Sequence, residues 1–487
     1  MHIGIIGAGI AGLASAVRLA AAGHQVEVFE MAAGPGGKLS EFSLGPYRFD
    51  LGPSLFTMPQ YVDELFRLAG EEPRDHFCYQ RLPVVCHYHW EDGTRVLAYA
   101  AVEDFAREVE HQLAVPAARV QAMLRDAERK YQLTGRTFLE KSLHRLSTWA
   151  DASVLKALLQ VPRLDLFRSM HQVHEQQLQH PKLVQLFDRF ATYNGSNPYR
   201  APGLLTIIPH FEHHFGAYLP EGGMFDITRS IYALAQRLGV TFHFDTKVTQ
   251  IIVEQGRASG LRVGGQSLAF DRIVSNMDVF FTYRQLLPEQ PQPERILRQQ
   301  KSTSALIFYW GIERRFPDLG VHNIFFSQNY QAEFATMEAG QMYEDPTIYI
   351  NKTSDYVPGD APHACENWFV MVNAPFDCGQ DWSALSLATR QRTLAKLSRM
   401  LGQDIEPLIA QERILTPPLI QSETGSHLGA LYGTSSNSKF AAFLRHPNFS
   451  RRIKGLYFVG GSVHPGGGIP LCLLSAKITA EEISKGN

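Results

Sequence analysis

Three glycines and one acid near the start of the chain carry the clearest chemistry. Gly7, Gly9 and Gly12 stand at G-x-G-x-x-G spacing in Gly7-Ala8-Gly9-Ile10-Ala11-Gly12, and Glu30 follows Gly12 by 18 residues. Gly7 permits a tight turn, Gly9 lets backbone approach a pyrophosphate, and Gly12 lets a helix pack close to a strand. A helix opening there offers free N–H groups and a positive dipole end to phosphate. An acid about 20 residues further on suits ribose hydroxyls. The pattern reads as an adenine-dinucleotide site; the alternative is an ordinary strand-to-helix turn.

A second glycine cluster lies near the other end. Gly460-Gly461-Ser462-Val463-His464-Pro465-Gly466-Gly467-Gly468 is a long turn between an apolar run, Gly455 to Val459, and a helical pattern, Ile469 to Ile483. Pro470 fits the first turn of a helix, where no N–H is needed. A helix N-terminus aimed at a reduced flavin stabilises the negative charge gathered near N1 and O2. Two such turns meeting in one sheet hold opposite ends of one long cofactor, and FAD suits that better than NAD. Between them, Gly34, Gly36, Gly37 and Lys38 form a third loop. Two readings of it are open: a further phosphate or flavin contact, or a plain surface loop. Tyr47 to Ser54, through Gly52 and Pro53, reads as a short strand entering a rigid turn that approaches a ring system.

These residues need elements to position them. Ile3 to Ile6 reads as a buried strand, Leu13 to Ala22 as a helix ended by Gly23, and Gln25 to Phe29 as a second strand. Helical patterns follow at Val62 to Ala69, Val102 to Leu113 and Ala118 to Leu139, with a hairpin between Cys86 and Leu97 turning at Glu91-Asp92-Gly93-Thr94. Val154 to Val161, Leu164 to His174 and Leu183 to Thr192 read as apolar helices. They carry Leu155, Leu158, Leu159, Leu166, Phe167 and Met170, with Lys156, Arg163 and Arg168 interleaved. They serve either as a cap whose apolar faces are core or as a surface that also dips into a membrane. From Pro220 the α/β pattern returns, with a turn at Gly222-Gly223-Met224. A helix is expected at Phe225 to Leu238, and strands at Val240 to Phe244, Val248 to Val253 and Ile273 to Asn276. Residues 300–420 alternate strands (Ala305 to Trp310, Thr347 to Asn351, Trp368 to Asn373) with loops and one helix, Ser386 to Leu401.

The chain has 487 residues, 45% hydrophobic and 19% charged, with a net charge of −2. That length buries a large core, and the charge offers no basic field for nucleic acid. The five cysteines, Cys78, Cys86, Cys365, Cys378 and Cys472, are scattered and form no C-x-x-C pair, which suits a reducing, intracellular setting without zinc. His210, His213 and His214 lack a convincing further ligand, so no metal is expected. The N-terminal stretch lacks a basic n-region and is broken by Arg18, so it reads neither as a signal peptide nor as an anchor.

The sequence resembles the FAD-dependent carotenoid desaturases, whose best-known members are the bacterial phytoene desaturases. The resemblance rests on Gly7 to Gly12, Glu30, Gly36-Gly37-Lys38, Phe49 to Pro53, Pro220 to Met224, Ser275 to Asp278 and Val463 to Ile478. Arg189 to Pro198, and Ala430 to Gly433 with Phe443 to Asn448, look closest to a subgroup acting on hydroxylated carotenoids, the 1-hydroxycarotenoid 3,4-desaturases or hydroxyneurosporene dehydrogenases. The implied fold is α/β: a Rossmann-type FAD-binding domain of the glutathione-reductase/amine-oxidase type with a mixed-sheet substrate domain and a helical cap. FAD-binding segments are expected at 1–75, 221–285 and 426–487, the membrane-facing cap at 76–220 and the substrate sheet at 286–425. Motifs and resemblance together place cofactor contacts at Gly7, Gly9, Ala11, Gly12, Glu30, Gly37, Lys38, Gly52, Pro53, Ser54, Val248, Asn276, Gly461, Ser462, Gly468, Ile469 and Pro470. Many related flavoproteins carry an acid where Gly461-Ser462 stands here; Ser462 still offers a hydroxyl.

The resemblance implies removal of two hydrogens from a C–C bond beside a C40 polyene, with hydride passing to flavin N5. It also implies peripheral attachment to the inner, cytoplasmic face of a membrane. Such chemistry needs an apolar tunnel and an oriented flavin rather than a dense polar constellation. Glu221 and His464 flank glycine turns and are the candidates for proton acceptor, each against a structural role. Only one dinucleotide fingerprint is visible, so oxygen or a membrane quinone is the expected electron acceptor. The rival readings are a multi-step phytoene desaturase, a carotenoid isomerase, a flavin amine oxidase and a non-catalytic lipid escort on the same fold. Intact turns at both ends weigh against the escort.

Overall fold

The computed structural model describes residues 1–149, 164–437 and 445–486. The expected helix at Val154 to Val161 lies outside these residues, as do Phe443 and Leu444 of the subgroup stretch.

The chain begins with strand β1, His2–Ile6, helix α1, Ile10–Ala21, and strand β2, Gln25–Phe29. β1 is the centre of a five-stranded parallel sheet. Its order is Thr241–His243, β2, β1, Arg272–Ser275, Leu456–Phe458. A parallel sheet is covered on both faces, and so its strands read as continuous apolar runs. Ile3, Ile5, Val26, Val28, Val274 and Tyr457 pack under a layer of helices that includes α1, Phe225–Arg237 and Ile469–Ser484. Ile6, Phe29, Ile273, Leu456 and Phe458 pack under an antiparallel sheet of Val248–Glu254, Arg257–Val263 and Gln266–Ala269. Each fully buried Val, Leu or Ile contributes about 1.5–3 kcal/mol, so burial on both faces holds the sheet in place.

A second, seven-stranded mixed sheet has the order Ile409–Leu415, Ser304–Ile312, Glu366–Ala374, Ile348–Lys352, His322–Phe325, Val84–His89, Arg95–Tyr99. One face, with Phe308, Trp310, Trp368 and Ile350, packs on helix Trp382–Leu401. Helices Val102–Leu113, Ala117–Leu139, Met170–Leu178 and Pro181–Asp188 share a core with the Val84–His89 end of the sheet.

Several expected elements differ. The helix expected from Leu164 starts only at Met170, where Ser169 and Gln172 form a capping box. Asp165 has φ of 51°, a left-handed conformation no helix interior accepts. The helix expected across Leu183 to Thr192 stops at Asp188 and tightens into a 3₁₀ turn, Arg189–Asn194, ended by Gly195 at φ 61°. Residues 300–420 hold two helices beyond the one expected, Tyr330–Glu338 and Pro417–Thr424. Both are too short for strong periodicity.

Candidate functional site

Elements from both ends of the chain converge on Asn276, the residue after strand Arg272–Ser275. Its N–H donates to the Ile6 carbonyl at 2.8 Å, which fixes it beside the first glycine turn. Gly7 has φ of 94° and donates to Phe29. A methyl group on Gly12 would lie 2.2 Å from the Gly7 carbonyl oxygen, and one on Gly9 would lie 3.0 Å from Asn276 Nδ2. On Gly460, in the C-terminal turn, it would lie 3.9 Å from the same nitrogen. Asn276 therefore sits between the two turns. Its Oδ1 is buried and has no partner in the protein.

α1 starts at Gly9 with no side-chain cap and no acid in its first turn, which leaves its N–H groups for an external anion. The third glycine loop docks on the first: Gly36 N–H donates to the Ala8 carbonyl at 2.9 Å. Glu30 is held at the end of β2, accepting from Ala8 N–H at 2.7 Å and Ala32 N–H at 2.9 Å. Each carboxylate oxygen keeps a lone pair for a ribose hydroxyl. Thr246 N–H donates to the Glu30 carbonyl at 2.8 Å, and this brings Val248, two residues on, near the same end of the sheet. Lys38 donates to the Leu431 carbonyl at 3.0 Å, and burial lowers its ammonium while Asp278 opposes the shift. A methyl group on Gly52 would fall 1.9 Å from the Lys38 carbonyl oxygen, so Gly52-Pro53-Ser54 abuts the third loop.

The C-terminal turn ends at Gly468, φ 102°, the uncapped start of helix Ile469–Ser484 with Pro470 in its first turn. Ser462 Oγ accepts from Val279 N–H at 3.1 Å, so this hydroxyl anchors the short helix after Asn276. The glycines of this turn are packed by Arg445 and Tyr432, with Arg445 donating to the Tyr432 carbonyl at 2.9 Å. Burial lowers the Arg445 guanidinium to about 10.

The candidate proton acceptors separate. His464 is 3% exposed, its Nε2 lies 2.9 Å from the Lys141 carbonyl, and burial lowers its ring to about 3. Glu221 is exposed, on the outer side of the turn that opens helix Phe225–Arg237. His210 and His213 are buried among aromatic rings, His213 stacking on Phe105 and His210 on His214. No group of three metal-ligating side chains occurs among the described residues.

Sequence reasoning missed the carboxylate that holds this region together. Asp50 accepts from Met224 N–H and Phe225 N–H, both at 2.9 Å, and from Arg48 Nη2 at 2.8 Å. It caps the helix N-terminus across 174 residues of sequence. Asp50 lies inside the Phe49 to Pro53 motif, yet nothing local shows which helix it caps.

The sequence matches the family of flavin-containing amine oxidoreductases over residues 10–484. It is 50% identical to the 1-hydroxycarotenoid 3,4-desaturase of Flavobacterium sp. (strain P99-3), over 99% of this chain and 99% of that relative. The chain belongs to the flavin-containing amine oxidoreductase family and, within it, to the carotenoid desaturases. FAD is the desaturase's cofactor. The uncapped N-terminus of α1, the orphaned Asn276 acceptor and the glycines that exclude side chains fit a dinucleotide laid across both turns. The 4,4'-diapolycopene oxygenase of Methylomonas sp. is 32% identical, over 98% of this chain and 97% of that relative. A cofactor-binding redesign of putrescine oxidase superposes with TM-score 0.65 at 15% identity, covering 100% of this chain and 99% of that one, so it shares the fold.

Proposed function

We propose that this desaturase removes two hydrogens from the C3–C4 bond of a 1-hydroxycarotenoid. The observation that carries the reading is the 50% identity to the Flavobacterium enzyme over 99% of both chains. When bound, FAD supplies the two-electron acceptor for this CH–CH oxidation.

The protein's own residues do the rest. Gly7, Gly9 and Gly12 with Asn276 fix the dinucleotide, and Glu30 takes the ribose. Lys38, Gly52 and Ser462 shape the middle of the cradle. The face of the seven-stranded sheet opposite its packed helix supplies an apolar wall of Ile307, Met371, Tyr349 and Ile324 in one row. Met371 and Tyr349 keep accessible surface although they stand on central strands. That wall aligns a polyene and excludes water, and proximity is the main contribution such a site makes.

Membrane contact is part of the proposal, since the substrate is a lipid-soluble hydrocarbon. Phe167 is 78% exposed and Trp149 39% exposed, and both flank residues 150–163. Exposed aromatics beside a Leu-rich stretch suit a protein that rests on the inner membrane face without crossing it. No described helix is long and apolar enough to span. Electrons leave to oxygen or a membrane quinone in this reading.

The test is expression in a pigment-free bacterium supplied, strain by strain, with phytoene, neurosporene or a 1-hydroxycarotenoid. A red-shifted product two mass units lighter, formed only from the hydroxylated substrate, is the expected result. The same change from phytoene would move the protein to the phytoene desaturases. No change in any strain, with FAD bound, would overturn desaturation.

A further inference from the structure

A polar cluster at Tyr349 makes an interruption in the apolar sheet face. Tyr349 Oη lies 2.7 Å from Ser54 Oγ and 2.7 Å from His322 Nδ1. Ser54 belongs to the turn that abuts the Lys38 loop, so the interruption stands beside the flavin cradle rather than at the sheet's far edge. Asn351 flanks the pair, its Nδ2 donating to the Val321 carbonyl at 3.0 Å. His322 is 4% exposed, and its Nε2 is buried without a partner.

The protein does not use all the bonding capacity of this cluster. A phenol hydroxyl has one donor and two acceptor sites. Between Ser54 and His322, Tyr349 spends at most one donor and one acceptor, and a lone pair remains. A buried imidazole nitrogen with no partner asks for an explanation, because an unmade buried hydrogen bond is costly. Burial and the Arg189 guanidinium lower the His322 ring to about 3, so it is neutral at physiological pH. A neutral ring offers one donor and one acceptor nitrogen. An uncharged hydroxyl, itself donor and acceptor, matches either tautomer.

The neighbouring charges are already closed on themselves. Arg189 donates to Tyr88, Tyr193 and Glu212, and Tyr193 also bonds Glu212. That network has no spare cation to recruit an anionic substrate, so the open polar capacity suits a neutral ligand.

We propose that Tyr349 and His322 form the subsite that binds the substrate's C1 hydroxyl. The inference rests on the hydroxycarotenoid reading above. In a 1-hydroxycarotenoid the hydroxyl oxygen is three bonds from C3. An enzyme that holds the C3–C4 bond against a flavin must bury that hydroxyl within a side chain's width of the ring. It must therefore supply a polar partner at that depth. Tyr349 and His322 meet that requirement, and a site built around a hydroxyl discriminates strongly against the analogue lacking it.

The experiment uses FAD-loaded full chain with substrate in liposomes. Initial rates are measured for a 1-hydroxycarotenoid and for its 1-deoxy counterpart of equal conjugation. The unsubstituted protein is expected to favour the hydroxylated substrate. Tyr349→Phe keeps the ring and loses the hydroxyl. It is expected to lower kcat/KM for the hydroxylated substrate about 10- to 100-fold more than for the deoxy substrate. His322→Gln is the second variant, with the same expectation, should Tyr349→Phe fail to load FAD. An equal fall on both substrates, or retained discrimination in the variants, would overturn the subsite. Absence of discrimination in the unsubstituted protein would instead overturn the hydroxycarotenoid reading on which it rests.

Discussion

Gly12 has no room for a side chain, since a methyl group there would meet the Gly7 carbonyl oxygen at 2.2 Å. Gly12→Ala must open the strand-to-helix turn and move the first N–H groups of α1 off their target. The expected outcome is protein purified largely without flavin, checked by the absorbance ratio at flavin and protein wavelengths. Glu30 is a milder case. Its two protein bonds come from backbone N–H groups, which Glu30→Gln keeps in part, while the charge that favours the ribose hydroxyls is lost. Hydrogen bonds to a charged group contribute about 1.5–3 kcal/mol. FAD is therefore expected to bind Glu30→Gln about 10- to 100-fold more weakly, read by fluorescence titration of apoprotein. An unchanged dissociation constant would remove Glu30 from the site.

Single side chains join elements far apart in this sequence. Helix Phe225–Arg237 starts where Asp50 accepts two backbone N–H groups, and the same carboxylate pairs with Arg48. Asp50→Ala strands both N–H groups, while Arg48 keeps Glu41 and Asp360 as partners. Leaving a buried donor without an acceptor costs about 1–3 kcal/mol. The expected result is a clear fall in Tm and loose FAD, since this helix packs on α1. At the other surface, the segment around Phe167 is a test of membrane docking. Burying a phenylalanine is worth about 1.5–3 kcal/mol, so Phe167→Ser is expected to lower liposome partitioning roughly tenfold. Equal flotation of both proteins would place docking elsewhere.

At the scale of the whole molecule, the histidines set the response to acid. Burial holds His89, His213, His322 and His464 near 3 in the folded chain. An unfolded imidazole takes up its proton near 6.5. Between those values the unfolded state binds more protons, so stability falls as pH drops. Each group removes up to about 1.4 kcal/mol per pH unit below 6.5. His171 works in the opposite sense. Its bond to Asp188 raises it, so its contribution is complete below 6.5 and fades as pH rises through its folded value. His144, His210, His427 and His446, lowered to about 4, act in the same sense as the four, and together against His171 they predict a steep loss of Tm between pH 6.5 and 5, measured by thermal unfolding at a pH series. A flat profile there would show that these rings are solvated.

What could be read from the sequence is what neighbours along the chain decide. The turn from Gly7 to Gly12, the acid at Glu30 and the glycine turn before Ile469 are each set by local backbone demands. So are the long helices, whose apolar spacing survives in any tertiary setting. The resemblance added the chemistry, because family identity is spread along the whole chain. The failures were local too. Leu164 to His174 has helical spacing, but the left-handed Asp165 and the Ser169 cap move the start to Met170. Other features join residues far apart in the chain. Asn276 lies between turns at opposite ends of the sequence, Asp50 caps a helix 174 residues away, and Ser54 meets Tyr349 across 295 residues. No periodicity encodes such pairs. A hydrogen bond between distant residues exists only after packing has brought them together, and only the tertiary structure decides which polar groups packing leaves without a partner.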